Sequence, residues 1–410
     1  MLIAAALAMT SMKQLKYGGL VGPGELTIAI VFLFQLLTNR AQSLSPSFRL
    51  GLMLILCIAS IFTVSSIINW ASTGSFPATS ITDGAAVWGC LLLTAAILAM
   101  TRNTEQLVRI LAWSAVLVVL PSAFLLVLAK FGVTTIGSAE LMYDAIRFQG
   151  LSDDPNQLSR VCAVTPFLTI FLATGPVRPR TKVILLTAAA ASVVVGIATV
   201  SQSAWASWII GSLVYITWGA LQRVRLGGVA AVAIVLISAA TAGIGLFIAR
   251  EALADSGEFR YFLESGGAAR LQIAQLSWQT INESPASVTI GHGFGFHVLW
   301  FTPLSQFAEM ESHDLFLDVL VRGGLIGLIP LLILVFRAMS RSMSGTPYAV
   351  ALLAATLTFS LSVTPIRQPL FWLSMIACLG TAWRAPSRHT PDRRLATVRL
   401  RRHGRVPIRG

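Results

Sequence analysis

The residues whose types and spacing could do chemistry are concentrated in one stretch, SHDLFLDVLVRGG, which runs from Ser312 to Gly324. An imidazole titrates near a pKa of about 6.5, so His313 could accept the proton of a substrate hydroxyl close to neutral pH. Ser312 reads as an N-cap, which sets His313 and Asp314 in the first turn of a helix. Asp314 and Asp318 are four residues apart, as are Asp318 and Arg322, so the three share one helical face. The Asp318–Arg322 pair reads as a packing ion pair, whereas His313 stands at the boundary with water. Asp314 and Asp318 could raise its basicity, or one of them could be the base.

Two further polar segments accompany this stretch. One is YDAIRFQGLSDDPNQLSR, residues 143–160; the other is 250–312, which ends GHGFGFHVLWFTPLSQFAEMES. The GHGFG run has GxGxG spacing and no strand–helix unit around it, so it is not a dinucleotide fingerprint. It reads as a loop whose backbone packs closely, with a phosphate cradle as the alternative. Cys57, Cys90, Cys162 and Cys378 all fall in apolar blocks without CxxC spacing, which argues for small buried hydrophobes over a disulfide framework or a zinc site.

The elements that must hold these residues follow from composition. Of 410 residues, 55% are hydrophobic and only 11% are Asp, Glu, Lys or Arg, against roughly 25% charged in a soluble domain. Mean hydropathy is +0.76. A single soluble core and a disordered chain are both excluded. Apolar blocks predict eleven membrane spans at about 25–38, 50–68, 84–100, 108–129, 158–174, 183–200, 204–220, 227–249, 314–336, 348–363 and 368–383. Residues 1–12 are apolar but too short to cross alone; they could belong to a twelfth span or to a signal-like segment. The fold class is therefore all-α, a polytopic transmembrane bundle of about 11–12 spans. It has one large external loop, 250–312, containing amphipathic helices. Residues 1–383 form the membrane domain and 384–410 a basic tail.

Alternate loops divide the charges sharply. One set, with the tail, holds 20 basic residues against two acidic ones, Glu105 and Asp392. The other holds eight basic and twelve acidic residues, seven of the acids in the loop 250–312. The positive-inside rule puts the tail in the cytoplasm and that loop outside, in the periplasm of a Gram-negative envelope. The Arg-rich tail reads as a topology anchor against anionic lipid, so the charge of +13 does not point to nucleic acid.

The motif order resembles the superfamily of O-antigen ligases and O-antigen or exopolysaccharide polymerases. The matching stretches are Arg147-Phe-Gln-Gly150 with Asp154-Pro155-Asn156, then Arg270 with Trp278 eight residues on, then Gly291-x-Gly293-x-Gly295, then His313 followed by Gly323-Gly324-x-x-Gly327. They span about residues 145–335. Family members usually have Asn after the histidine, where this chain has Asp314. Gln202 stands where many carry an arginine thought to hold lipid diphosphate.

The resemblance implies a glycosyltransferase that takes a glycan from a polyprenyl-diphosphate carrier without a metal or cofactor. The acceptor would be a lipid A core sugar in a ligase, or a growing glycan in a polymerase. It implies His313 as base and Arg270 as the cation meeting the leaving diphosphate, with Arg147, Asn156, Gln202 and Asp314 binding substrate. Arginine suits that task because its planar fork binds phosphate oxygens bidentately and keeps its charge. Arg147 could instead pair with Asp144 or Asp153, and Asn156 could simply open a helix. A transporter, with Arg160, Asp318 and Arg322 lining a path, and a non-catalytic scaffold are the readings from other classes.

Overall fold

The computed structural model describes residues 1–12, 22–38, 44–74, 78–133, 138–140, 146–152, 154–224, 270–295, 298–301, 307–310, 314–361 and 363–380. The chain is a polytopic helical membrane protein. Its helices are α1 (Leu2–Thr10), α2 (Pro23–Leu37), α3 (Pro46–Thr73), α4 (Ala78–Ala99), α5 (Thr104–Lys130), α6 (Pro155–Thr174), α7 (Pro179–Ala198) and α8 (Gln202–Val224). They continue as α9 (270–281), α10 (Pro285–Ile290), α11 (Leu315–Met343), α12 (Pro347–Ser360) and α13 (Pro369–Leu379). Proline opens α2, α3, α6, α7, α10, α12 and α13. Its fixed φ suits a first turn, where no intrahelical N–H bond is lost. Side-chain caps mark other starts: the Ser45 hydroxyl accepts from Phe48 N–H, and the Asn103 carbonyl from Gln106 N–H at 2.9 Å.

Ten of the eleven expected spans coincide with helices, and the eleventh, 227–249, lies outside the described residues. Among the described residues, seven helices, α3 to α8 and α11, are long and apolar enough to cross a bilayer, while α2, α12 and α13 are shorter. The 11 residues of α13 rise only about 16 Å at 1.5 Å per residue. Every residue of α13 from Leu370 to Leu379 is buried, so protein rather than lipid surrounds it and it need not match the hydrocarbon thickness. Residues 2–10 form a short buried helix against α2 and α5. A Cβ on Gly24 of α2 would stand 2.5 Å from the Ala6 carbonyl oxygen, which shows how closely the two helices approach.

Contacts sort the helix ends into two faces. At one, Gln222 of α8 donates to Gly345 O, Ser342 of α11 donates to Cys378 O, and Gly380 abuts Thr104 at the start of α5. Arg49, Arg102, Arg109, Arg178, Arg180, Lys182, Arg337 and Arg341 lie towards this face. At the other, Ser159 of α6 meets Ser201 before α8, and Gly196 at the end of α7 lies against Trp208. This second face carries two short antiparallel hairpins that the sequence reading did not anticipate, β1 (Ser138–Glu140) with β2 (Ile146–Phe148) and β3 (Val298–Phe301) with β4 (Phe307–Met310).

Candidate functional site

The polar residues of the second face assemble around a break in α11. Gly324 adopts φ 59 and ψ −162, which ends one helical segment and starts the next. Such backbone is open essentially to glycine alone. The break strands the carbonyls of Val321 and Arg322, which would otherwise accept from the amides four residues on. The GHGFG loop supplies the missing donors. His292 N–H donates to Val321 O and Gly293 N–H to Arg322 O, both at 2.8 Å.

The next two amides of the loop are also taken. Phe294 N–H donates to the Ser66 hydroxyl at 2.7 Å, and Gly295 N–H donates to Asp83 Oδ2 at 2.8 Å. Its carbonyls receive Ser65 at Ile290, Asn69 at His292 and Ser80 at Phe294. Five consecutive amides, from Gly291 to Gly295, thus point at protein acceptors. None remains for a phosphate, so of the two sequence readings of this loop the close-packing one holds. The glycines are needed for that approach. Gly291, Gly293 and Gly295 have φ of 70, 85 and 71, and a Cβ on Gly291 would come within 2.5 Å of the Arg322 carbonyl carbon.

Behind the loop lies a buried ion cluster. Arg322 Nε meets Asp318 Oδ2 at 2.9 Å, and its Nη1 donates to Asp83 Oδ2. Arg367, between α12 and α13, donates from Nε to Asp83 Oδ1 at 2.7 Å. Two carboxylates and two guanidinium groups balance in charge. That balance is what allows Asp83, Asp318 and Arg322 to be almost fully buried, since an isolated charge there would be prohibitively costly. The expected Asp318–Arg322 pair is therefore real, but it is half of a larger arrangement. Sequence reading missed Asp83 and Arg367. Asp83 stood one residue outside the expected third span, where an acid at the edge of an apolar block was the available signal.

The expected site residues fall around this centre in different ways. His313 and Ser312 lie outside the described residues. The helix cap is not Ser312: Asp314 has extended backbone, φ −136 and ψ 129, and its carboxylate accepts from Leu317 N–H at 2.8 Å. Asp314 thus precedes the helix rather than sitting in its first turn, because its own short carboxylate reaches the exposed amides. Burial pushes its carboxyl pKa above the ordinary value, against the pull of the Leu317 and Phe316 amides. One turn on, Asp318 N–H bonds Asp314 O at 2.8 Å, so the cap is tied directly to the ion cluster.

Asn156 and Gln202 come to a common corner. Asp154 caps α6, accepting from Asn156 N–H at 2.7 Å. Asn156 O accepts the Ser159 hydroxyl, which in turn meets Ser201 at 3.0 Å, immediately before Gln202 opens α8. The next residue of α6, Arg160, is buried with its guanidinium carbon 5.2 Å from the centre of the Phe359 ring, a cation–π contact. Arg147 lies in β2, paired in register with Ala139.

Arg270 is the first described residue of α9, and burial lowers its pKa from the usual guanidinium value. The helix is amphipathic as expected, with Ile273, Ser277 and Ile281 on its buried side. It joins the centre through His292, whose Nε2 lies 3.4 Å from Thr280 O. Among the described residues, no group of three or more His, Cys, Asp or Glu is arranged to hold a metal ion. No family model and no curated protein matches this chain.

Proposed function

We propose that this protein is an O-antigen ligase-like membrane glycosyltransferase, moving a glycan from a polyprenyl-diphosphate carrier to a sugar acceptor at the periplasmic face of a bacterial inner membrane. The observation that carries this reading is that three successive motif stretches, those of Arg270, Gly291–Gly295 and the helix after His313, are joined to one another. Gly291–Gly295 caps the half-helix that follows His313, and the helix beginning at Arg270 is tied to the same loop. The face that gathers them is the one opposite the arginine-rich helix ends, which the positive-inside rule assigns to the outside, with the C-terminal tail in the cytoplasm.

In this reading Arg270 meets the diphosphate as negative charge develops on the leaving group. His313 takes the acceptor hydroxyl's proton, and Asp314, held as a helix cap, orients the turn beside it. Arg147, Asn156 and Gln202 contribute to donor binding from the neighbouring corner. The ion cluster acts on none of the reacting atoms; it holds the half-helix start rigid. A transporter built on a broken helix offers its unwound carbonyls to an ion. Here the Val321 and Arg322 carbonyls are occupied by His292 and Gly293 amides, which disfavours that alternative.

The test is glycan analysis of a deletion strain complemented with variants. Loss of polymer capping on lipopolysaccharide indicates a ligase. Single-repeat glycans on lipid A core indicate a polymerase, and loss of free exopolysaccharide a polymerase of that branch. His313→Ala should cut transfer by roughly 10²–10⁴-fold while donor binding persists. Arg270→Lys should also fail, because a point charge does not reproduce a bidentate fork. Unaltered envelope glycans in the deletion strain would end this reading.

A further inference from the structure

The exposed side of α9 has a chemistry that the donor site does not use. A shallow, open surface is formed by Ala274, Gln275, Trp278 and Gln279 of α9. Ala274 and Trp278 are four residues apart, as are Gln275 and Gln279, so they form two parallel rows on one helical face. Trp278 leaves 58% of its surface exposed. We propose that this face is a glycan-binding subsite, in which a sugar ring stacks on the Trp278 indole and the Gln275 and Gln279 amides bind its hydroxyls. The choice of a glycan rests on the glycosyltransferase reading.

Three features select a sugar. None of the four side chains is charged, and Arg270 heads the same row one turn before Ala274 and two turns before Trp278, so a neutral ligand suits the Trp278 end of the face and the diphosphate the Arg270 end. The indole offers a broad flat surface whose electron-rich face attracts C–H groups, of which one side of a pyranose presents several. Each glutamine carries both a donor and an acceptor, matching hydroxyls that are both at once, and Ala274 leaves room beside the ring. An interfacial anchor would need a wide apolar stripe towards the acyl chains. The exposed side of α9 instead alternates Leu271 and Trp278 with Gln272, Gln275 and Gln279, which is too polar for that role. The placement also fits. Trp278 lies eight residues beyond Arg270, about 12 Å along the axis, and the Thr280 carbonyl two residues further is held by His292.

The experiment uses the full chain in nanodiscs, titrated calorimetrically with glycans released by mild acid from the envelope of the source bacterium. Wild type should bind them, Trp278→Ala should weaken binding roughly ten-fold, and Trp278→Phe should keep most of it. Gln275→Ala with Gln279→Ala should weaken binding while leaving the thermal midpoint in place. Glycan binding that depends on Trp278 in a protein without transferase activity would keep the subsite and overturn the enzymatic reading. Active transfer with glycan affinity indifferent to Trp278→Ala would keep the enzyme and overturn the subsite. Absence of glycan binding by wild type would also overturn the subsite.

Discussion

Two ion pairs in this protein have the same spacing and order, an acid followed four residues later by arginine, and opposite significance. Glu105 and Arg109 sit at the arginine-rich face with oxygen and nitrogen 2.5 Å apart and side chains 54% and 61% exposed. Asp318 and Arg322 sit at the other face, 2.9 Å apart, at 2% and 1%. On sequence spacing alone they are equivalent. In water the first pair gains little, because solvent screens the attraction and two long side chains lose freedom. In the bundle interior the second must be answered by further partners, because each charge lost its hydration on burial. Asp83, Arg367 and the Gly295 amide provide them. Burial, not spacing, decides what a pair is for.

The sharpest way to break this comparison is to remove the buried cation. Arg322→Met leaves Asp83 and Asp318 without it and should cost about 3–5 kcal/mol. The thermal midpoint and monodispersity of the detergent-solubilised protein would show it. A variant as stable as wild type would mean the cluster is incidental. Arg367→Gln should cost less, since Arg367 keeps 38% of its side chain exposed.

The loop that seals the cluster should be nearly as sensitive. Gly293→Ala puts a side chain at φ 85 and against the Ser66 backbone, so a loss of roughly 1–3 kcal/mol is expected. Gly74 has φ 67 but open space around it. Gly74→Ala should therefore cost only the conformational part, about 1 kcal/mol. Equal losses at the two positions would show that the close approach at Gly293 carries no energy.

A smaller effect is expected at Asp314. Burial raises its carboxyl pKa, so the folded chain holds that proton more tightly than the unfolded chain does. Stability should then fall as pH climbs from the ordinary carboxylate range through the raised value, and level off above it. Asparagine caps a helix equally well and does not ionise. Asp314→Asn should erase that fall from a series of thermal midpoints between acid and neutral pH. A fall of the same size in the variant would assign the pH dependence to another group. Least of all should happen at the exposed pair: Glu105→Ala should change stability by no more than about 0.5 kcal/mol, and a larger loss would remove the distinction between the two faces.

Much of the fold was legible because hydrophobic blocks and proline starts are local signals. Pro46, Pro155 and Pro179 open helices that the hydropathy pattern had already placed within a few residues. The Asp154-Pro155-Asn156 run opens α6 as its residue types suggest. The site was legible in part. Asp318–Arg322 and the close-packing glycines could be read from spacing, but the cap at Asp314 was assigned to Ser312, because both residue types cap well and only the backbone distinguishes them. The helical span expected from residue 314 onward proved to be two segments, since two adjacent glycines do not announce which of them will turn.

By itself the sequence determined that this is a many-helix membrane protein, roughly where its helices run, and how charge divides between their ends. Those properties follow from the cost of exposing polar backbone or charge to hydrocarbon, which acts on each segment separately. Only the tertiary structure decided that Asp83 would answer Arg322 from 239 residues away, or that a loop would complete a helix broken at Gly324. Such partnerships leave no periodicity in the chain. They arise when burial removes water from a charge or a carbonyl and the nearest folded neighbour must take its place.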